Sequence, residues 1–340
     1  MTPIDVIAVV GSCEPERHRA ARRLAEEARA ALVPAARLAV APDPLAEAVA
    51  LAPWAYREGR AVVEFPTPAP MTELIGTLCE AEGRVRLIGV TCIVDASHLL
   101  DDLRRDDYFV RYSREGERGY ARALTAVEQI EFASTVLLVN WELLSTPELS
   151  TTMALVGHLS PRARLRLDRA GERAAPPSVA PVAFSAGQER PGWVGILNED
   201  FDPHLTDPRV ASFRYEQLRP MHPGRLSTLL DGGFARGEFG NVLRSAGFCR
   251  LASRPRITAK WEHVGRMFSM HPLIADDEYE DDDEMLGFGQ DIAFTGLDLD
   301  RPGLVAALDA AALTDAEFAA GPAVWAGFED PFPVSRSSAR

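Results

Sequence analysis

Continuous apolar runs alternate with helical patterns along the first half of the chain. Three of the runs have the length and β-branched content of strands buried on both faces of a parallel sheet, and they stop at Gly11, Asp95 and Asn140. The predicted strands are Val6–Val10, Ala61–Phe65, Val85–Val94 and Thr135–Val139, and the predicted helices are Glu14–Leu32, Met71–Glu82, about Tyr120–Phe132 and one from Thr146. This order predicts an α/β domain with a doubly wound, mostly parallel sheet.

The residues that end the predicted strands indicate where a ligand would bind. Because the carboxyl ends of parallel strands lie along one edge of a sheet, we expect Gly11, Asp95 and Asn140 to open onto the same crevice. The strand, glycine turn and helix around Gly11 also form the kind of helix N-terminus at which backbone N–H groups hold phosphate. The sequence therefore places a candidate nucleotide pocket at this edge.

A different pattern occupies the second half of the chain. The predicted strands there are Val210–Gln217, Gly247–Ser253 and Ile292–Leu299, and helices are predicted from His222 and over Pro302–Ala312. This order predicts a smaller α+β domain with an antiparallel sheet. Between the two halves the chain is rich in Ala, Pro, Gly and Ser, as linkers are. We predict a first domain at 1–170, a linker or crossing at 171–192, a second domain at 193–333 and a tail at 334–340.

Composition narrows the classes of partner. The 340 residues carry a formal net charge of −14, so the field of the protein repels nucleic-acid phosphates and anionic lipid. We therefore expect neither nucleic acid nor a membrane among its partners, and no stretch is a plausible membrane span. The four cysteines are scattered, and the N-terminus lacks a basic leader. These features favour a reducing, cytoplasmic location.

The turn at Gly11 departs from the P-loop pattern G-x-x-x-x-G-K-[ST]. Gly11 keeps the first glycine and Ser12 follows it, but Glu16 stands at the second glycine, Arg17 at the lysine and His18 at the Mg²⁺-binding hydroxyl. The single lysine of the chain, Lys260, is far away in the sequence. Acidic residues in this turn would repel phosphate, although a guanidinium could still donate to it.

The stretch that follows the strand ending at Asn140 also departs from a nucleotide-binding pattern. GTPases read guanine with an Asn-Lys-x-Asp stretch after a buried strand, and here Asn140 is followed by Trp141, Glu142 and Leu143. The asparagine remains, but the lysine that covers the base and the carboxylate that reads it are missing. We therefore expect guanine specificity to be lost. The residues of the remnant nucleotide pocket are Gly11, Ser12, Arg17, His18, Asp95 and Asn140.

Several stretches resemble the CobW family of P-loop GTPases. Arg219–Leu226 is similar to the family's Arg-Pro-Phe-His-Pro-x-Arg-Leu signature, and the collinear similarity extends over about Phe213–Pro333. Further matching stretches are Val242–Phe248, Leu251–Pro255, Gln290–Gly296, Leu313–Glu317 and Asp330–Pro333. In the first half Val94–Asp95–Ala96 is similar to the family's Val-Asp-Ala. The resemblance implies a P-loop-like sheet followed by a CobW C-terminal domain.

The resemblance also implies a chemistry, from which this sequence departs. Family members with intact motifs bind GTP and Mg²⁺, hydrolyse GTP slowly and use a Cys-x-Cys-Cys motif to handle zinc or cobalt. No Cys-x-Cys-Cys occurs here, and Cys79 and Cys92 are far apart. GTP, Mg²⁺ and Zn²⁺ remain possible ligands by resemblance, and a metal-dependent client protein is the partner it implies.

Other features offer candidates for interaction. The acidic run Asp276–Glu284 is either a solvated insertion or a weak site for cations or a basic partner. His222, His263 and His271 could converge on a metal, but a buried or capping role is commoner. The interaction candidates are Arg219, His222, Arg225, Asp276, Asp277 and Glu278.

Three hypotheses follow for the function. The first is a non-catalytic CobW-like protein, a pseudo-GTPase with no catalytic residues, that serves metal homeostasis by binding. The second is a weak GTPase in which Arg17 replaces the lysine and Asp95 or another carboxylate recruits Mg²⁺. The third is a metal carrier that uses scattered Cys and His side chains.

Overall fold

The computed structural model describes residues 3–55, 59–81, 83–113, 116–169, 184–185, 189–275 and 289–333. The chain divides into two compact units, one of residues 1–192 with 203–206 and one of residues 193–202 with 207–340. The predicted interaction candidates Asp276, Asp277 and Glu278 lie outside the described residues, as do most of the predicted linker and the tail. No helix in the described part of the chain is long and apolar enough to cross a membrane.

The first unit is built on a six-stranded parallel sheet. The strands of this unit, which include two outside the main sheet, are β1 (Ile4–Val10), β2 (Ala31–Val33), β3 (Arg60–Glu64), β4 (Val85–Asp95), β5 (Tyr108–Ser113), β6 (Gly116–Ala121), β7 (Thr135–Val139) and β8 (Arg164–Leu167). The sheet has the order β2-β3-β1-β4-β7-β8, and β5 pairs with β6 in a separate antiparallel hairpin. The predicted parallel α/β sheet is confirmed.

Helices flank this sheet and bury its apolar residues. They are α1 (Glu14–Ala28), α2 (Ala35–Ala39), α3 (Pro44–Leu51), α4 (Met71–Cys79), α5 (Leu99–Asp102), α6 (Arg122–Glu131) and α7 (Thr146–Leu159), with single 3₁₀ turns at Ala52–Ala55 and Trp141–Leu143. The alanine stripe of α1, with Ala21 fully buried, packs on Val9 of β1, Val62 of β3 and Ile93 of β4. Small side chains on this face let the helix lie close to the strands that end at the candidate pocket.

The predicted boundaries were wrong at two places near the site. The helix predicted over Glu14–Leu32 ends at Ala28, because Arg29 takes a left-handed conformation with φ of 49°, and the remaining apolar residues form β2. The helix predicted from about Tyr120 begins at Arg122, since Tyr120 belongs to the hairpin strand β6. Charged and glycine residues interrupt the two strands of the hairpin, so a search for continuous apolar runs does not find it.

The second unit contains a five-stranded antiparallel sheet of order β12-β11-β10-β13-β9. Its elements are α8 (Gly192–Leu197), β9 (Val210–Gln217), α9 (Pro223–Leu229), β10 (Asn241–Cys249), β11 (Ile257–Val264), β12 (Met267–Ala275), β13 (Gln290–Leu297), α10 (Arg301–Ala311), α11 (Asp315–Ala320) and α12 (Pro322–Trp325), with a π-helical turn at Leu230–Phe234. Trp261 and Phe294 are fully buried at the centre of its core with Leu304 and Leu308 of α10. The smaller α+β domain is confirmed, although its strand predicted over Gly247–Ser253 ends at Cys249.

Candidate functional site

A cleft of about 280 Å³ lies at the carboxyl edge of the parallel sheet. Strand β1 lies between β3 and β4. The strands that follow β1 in the chain are therefore added first on one side of it and then on the other, and the strand order reverses at β1. Ligands of open α/β sheets bind in the crevice that such a reversal creates. The cleft is lined by Ser12, Cys13, Glu16, Asp95, His98, Asp102, Arg105, Phe109, Arg122 and Ala126.

Gly11 makes the turn from β1 into α1. Its φ of 148° lies in a region that side-chain-bearing residues rarely adopt, and a Cβ at this position would lie 2.4 Å from the carbonyl oxygen of Ile93. The turn therefore passes against the backbone of β4. Beyond it α1 begins at Glu14, and Glu14 and Glu16 place two carboxylates in its first turn, where they complement the positive end of the helix dipole.

Arg17 points into the protein. Its side chain is 1% exposed, and Nη1 donates to the carbonyl oxygen of Gly11 at 2.6 Å and to Oγ1 of Thr67 at 2.8 Å. Its Nε donates to Oε1 of Glu64 at 3.2 Å. The guanidinium thus ties the turn at Gly11 to the end of β3 by charge-assisted bonds. Arg17 is absent from the lining of the cleft.

His18 shares the same carboxylate. Its Nδ1 lies 2.9 Å from Oε2 of Glu64, and that oxygen also accepts from the backbone N–H of Ala35 at 3.2 Å. Glu64 is 2% exposed. The structure therefore brings Gly11, Arg17 and His18 together around Glu64. Sequence reasoning missed Glu64, although an acidic residue inside the strand predicted over Ala61–Phe65 was a signal that could have found it.

Asp95 and Asn140 meet at the end of β4. Oδ2 of Asp95 accepts from Nδ2 of Asn140 at 2.7 Å, and Oδ1 accepts from the N–H of Ser97 at 3.0 Å and its hydroxyl at 2.6 Å. Asn140 has a left-handed backbone, with φ of 55°. Beyond it Trp141 turns away and donates from Nε1 to the carbonyl oxygen of Asp168 at 2.7 Å. The side-chain amide of Asn140 is thus hydrogen-bonded to Asp95 at the end of the neighbouring strand β4.

Two further groups of the cleft, the carboxyl of Asp102 and the thiol of Cys13, have raised pKa values. Ser12 donates to Oδ2 of Asp102 at 3.2 Å, and burial raises the pKa of that carboxyl above its ordinary value. Burial, together with the charges of Glu16 and Asp95, raises the pKa of the Cys13 thiol to about 12. A thiol is a poor nucleophile and a poor metal ligand, because both roles need the thiolate.

The histidines and cysteines do not assemble a metal centre in the described part of the chain, where no three His, Cys, Asp or Glu side chains are placed to hold one ion. His263 is buried beside the ring of Phe234, and burial lowers its pKa to about 4. His222 caps a helix, and His271 lies on β12 at the surface. Burial also raises the pKa of the thiols of Cys79, Cys92 and Cys249.

The predicted interaction candidates of the second unit are engaged within it. Arg225 forms a two-bond pair with the carboxylate of Glu317, at 2.8 and 2.7 Å, and also donates to the carbonyl oxygen of Ala312 at 2.8 Å. Arg219 pairs with Asp315 at 2.5 Å. Nδ1 of His222 accepts from the backbone N–H of Arg225 and caps α9. These contacts fasten α9 and the segment before it to α11.

The Arg225–Glu317 pair gives a pH-dependent prediction. Hydrogen bonds from Arg225 lower the pKa of Glu317 to about 2. A carboxyl with a depressed pKa contributes stability that is complete above its unfolded pKa of about 4.5 and is lost as pH falls towards 2. We expect Arg225→Gln to flatten this dependence, so that urea midpoints at pH 7 and pH 3 differ less than in the parent.

Tryptophan fluorescence reports this transition, because Nε1 of Trp325 donates to the carbonyl oxygen of Glu317. The matched control is Arg266→Gln, which removes an exposed arginine and should leave the pH dependence unchanged. Equal pH dependence in the parent and in Arg225→Gln would contradict the prediction.

Comparison with known proteins finds one family model that matches the second half of the chain and one relative that is similar over most of its length. Residues 210–312 match the cobalamin synthesis protein CobW C-terminal domain. Over 306 residues the chain is 27% identical to the zinc-regulated GTPase metalloprotein activator 1 of Dictyostelium discoideum, which covers 80% of this chain. The second half of this chain is therefore similar to the CobW C-terminal domain. The chain spans 62% of the length of that relative.

Solved structures of YjiA GTPase are also similar to this chain. The Zn(II)-bound enzyme from E. coli is 15% identical, with a TM-score of 0.36, and a Zn(II)-bound triple mutant is 13% identical, with a TM-score of 0.39. Each alignment covers 92% of this chain and all of the other. Values this low add nothing to the strand order described above.

Proposed function

We propose that this chain is a non-catalytic member of the CobW family, a pseudo-GTPase that serves metal homeostasis as a binding or accessory protein. The observation that carries the proposal is the burial of Arg17, whose guanidinium bonds to Glu64, Thr67 and the carbonyl oxygen of Gly11. An arginine held in this way is not available to a phosphate in the cleft. The name of the Dictyostelium relative supports the connection with zinc and with metalloprotein clients.

The rest of the turn supports the same proposal. A phosphate-binding loop offers backbone N–H groups and a helix N-terminus to the anion. Here Pro15 contributes no N–H, and Glu14 and Glu16 already occupy the first turn with negative charge. His18, at the position of the Mg²⁺-binding hydroxyl, contacts the buried Glu64.

The strand end that would read guanine supports the proposal independently. The indole of Trp141 is hydrogen-bonded to the backbone of Asp168, and Leu143 is an exposed apolar side chain. Neither side chain offers the carboxylate that accepts from the base. The phosphate-binding turn at Gly11 and the base-reading stretch at Asn140 both lack the side chains that hold GTP. A protein that keeps the fold but binds a partner instead of hydrolysing GTP accounts for both differences.

The alternative is a weak GTPase in which Arg17 replaces the P-loop lysine and Asp95 recruits Mg²⁺. It requires Arg17 to leave Glu64, which would then stay buried with the ring of His18 and the backbone N–H of Ala35 as its remaining partners. Breaking a buried ion pair costs about 3–5 kcal/mol. This cost would have to be met from the binding energy of the nucleotide.

Calorimetry with the full chain tests the proposal. We expect no saturable heat with GTP or ATP, with or without Mg²⁺, up to millimolar nucleotide, and no release of phosphate. Micromolar GTP binding with Mg²⁺-dependent turnover would overturn the proposal. Loss of that turnover in an Arg17→Ala variant that circular dichroism shows to be folded would favour the weak GTPase instead.

Elemental analysis of protein purified without a tag tests the third hypothesis, the metal carrier. We expect less than stoichiometric Zn²⁺ and Co²⁺, because the thiols of all four cysteines have raised pKa values. One tightly bound ion per chain would favour the carrier.

A further inference from the structure

A run of apolar residues lies at the surface of the second unit. Residues 318–328 contain no polar side chain. Helices α11 and α12 form most of this run, and Gly321, with φ of 84°, makes the turn between them. The exposed members of the run are Phe318, Ala319, Ala320, Pro322, Ala323, Val324, Ala326 and Gly327. Runs of more than about three or four exposed apolar residues are unexpected on a globular surface unless they bind something.

Two large side chains of the run contact solvent. Phe318 is 47% exposed and Val324 is 52% exposed. The ring of Phe318 stacks on that of the buried Trp325, with centroids 5.4 Å apart. The stacking therefore fixes the phenyl ring in place but leaves almost half of the residue in contact with water.

The run is held in place by contacts beneath it. Nε1 of Trp325 donates to the carbonyl oxygen of Glu317 at 2.6 Å, and the carboxylate of Glu317 is paired with Arg225. The ring of Phe328 stacks on His222, with centroids 4.6 Å apart. A partner that docks on a surface ordered in this way loses little free energy in ordering it.

The carboxylates around the run leave one negative charge without an ion pair. No lysine, arginine or histidine occurs in residues 302–333. The neighbouring carboxylates that pair with arginines of other segments form the pairs Asp315–Arg219, Glu317–Arg225 and Asp330–Arg254. Glu329, which directly follows the run, is exposed and forms no ion pair with a residue that the structure describes.

Charge and size decide between the possible occupants of this surface. A second copy of the chain and an anionic membrane would both be repelled by the net charge of −14, whereas a basic partner is attracted. A stable interface between two proteins takes roughly 20–30 residues from each side, about twice the length of this run. A short basic segment therefore fits the surface better than a second copy does.

We propose that the run 318–328 docks a short amphipathic segment of a partner protein, with apolar side chains on Phe318 and Val324 and a lysine or arginine beside Glu329. The inference goes beyond the proposed function, which rests on the first unit. It places a partner on the second unit, and it holds whether or not the cleft of the first unit binds a nucleotide.

Fluorescence anisotropy with the full chain and three dye-labelled peptides tests the inference. The first peptide is an amphipathic helix of leucine and lysine, the second has glutamate in place of each lysine, and the third has serine in place of each leucine. We expect saturable binding of the leucine–lysine peptide. Both other peptides should bind at least tenfold more weakly, because one lacks the positive charge and the other lacks the apolar face.

Variants of the run locate the binding site. Val324→Ser removes an exposed apolar side chain and Ala323→Lys adds a cation, and each should weaken binding of the leucine–lysine peptide at least tenfold. Glu329→Gln should weaken it by about twofold to fivefold, as expected for one exposed charge pair. The matched control is Leu218→Ser, which removes an exposed apolar side chain of the same unit outside the run and should leave binding unchanged. Circular dichroism and thermal melting establish that each variant is folded.

Three results of the peptide titrations would overturn this inference. They are no saturable binding of the leucine–lysine peptide, equal binding of the leucine–glutamate peptide, and equal binding by the parent and a folded Val324→Ser variant.

Two further measurements identify the other occupants. Self-association in analytical ultracentrifugation that Val324→Ser abolishes would show that a second copy covers the run. Binding to phosphatidylcholine vesicles that Val324→Ser abolishes would show that lipid does, and either result would overturn the inference. None of these outcomes bears on the loss of GTP binding, which the nucleotide titration decides separately.

Discussion

Replacing Arg17 by Met is expected to lower the free energy of unfolding by about 3–5 kcal/mol. Methionine fills much of the same volume, so the main loss is electrostatic. Glu64, 2% exposed, would keep its buried charge with His18 and the N–H of Ala35 as its remaining partners. Urea denaturation followed by circular dichroism measures the change.

Two further variants make the Arg17 result specific. Arg22→Met changes an exposed arginine of the same helix and should alter stability by less than about 0.5 kcal/mol. Arg17→Met combined with Glu64→Gln should recover part of the loss, because the unpaired buried charge is removed. A loss below about 1 kcal/mol in Arg17→Met would show that the pair does not hold the turn.

Gly11→Ala is expected to destabilise the protein by about 3 kcal/mol, since backbone strain of this kind costs about 1–3 kcal/mol and the clash with β4 adds to it. The new methyl group would lie 2.4 Å from the carbonyl oxygen of Ile93, and backbone atoms cannot give way as a flexible side chain can. Thermal melting and urea midpoints measure the effect.

The control for Gly11→Ala is a glycine inside a helix. Gly76 lies in α4, and a Cβ there would meet no atom within 4 Å. Gly76→Ala should therefore stabilise the protein by about 0.5–1 kcal/mol, because alanine loses less backbone freedom on folding. Similar stability changes in the two variants would contradict the role given to Gly11.

The buried strands of the first unit could be predicted closely from the sequence. Thr135–Val139 was predicted with its observed ends, and the prediction for β4 missed only Asp95. Strands buried on both faces are continuous apolar runs, so their limits are visible in the residues themselves. The strands β11 and β12 were missed, because buried polar residues such as Glu262 and His263 interrupt the pattern.

The candidate site was less predictable, because its contacts join residues far apart in sequence. That Gly11, Asp95 and Asn140 lie at one edge could be predicted, because each follows or ends a strand of the parallel sheet. The inward orientation of the Arg17 side chain could not be predicted. Its partner Glu64 lies 47 residues away in the sequence and becomes adjacent only when β3 pairs with β1. The presence of Arg105 and Arg122 in the lining of the cleft could not be predicted either. Arg122 packs there against Phe109, which belongs to a hairpin that the apolar pattern did not reveal.

The Arg17–Glu64–His18 cluster also constrains how this chain could change over evolutionary time. A lysine at position 17 would replace the planar guanidinium, which reaches Glu64, Thr67 and Gly11 at once, by a single ammonium point charge. A single change of Arg17 to lysine is therefore expected to be unstable unless Glu64 changes at the same time. The residues at positions 17 and 64 are thus expected to change together rather than one at a time.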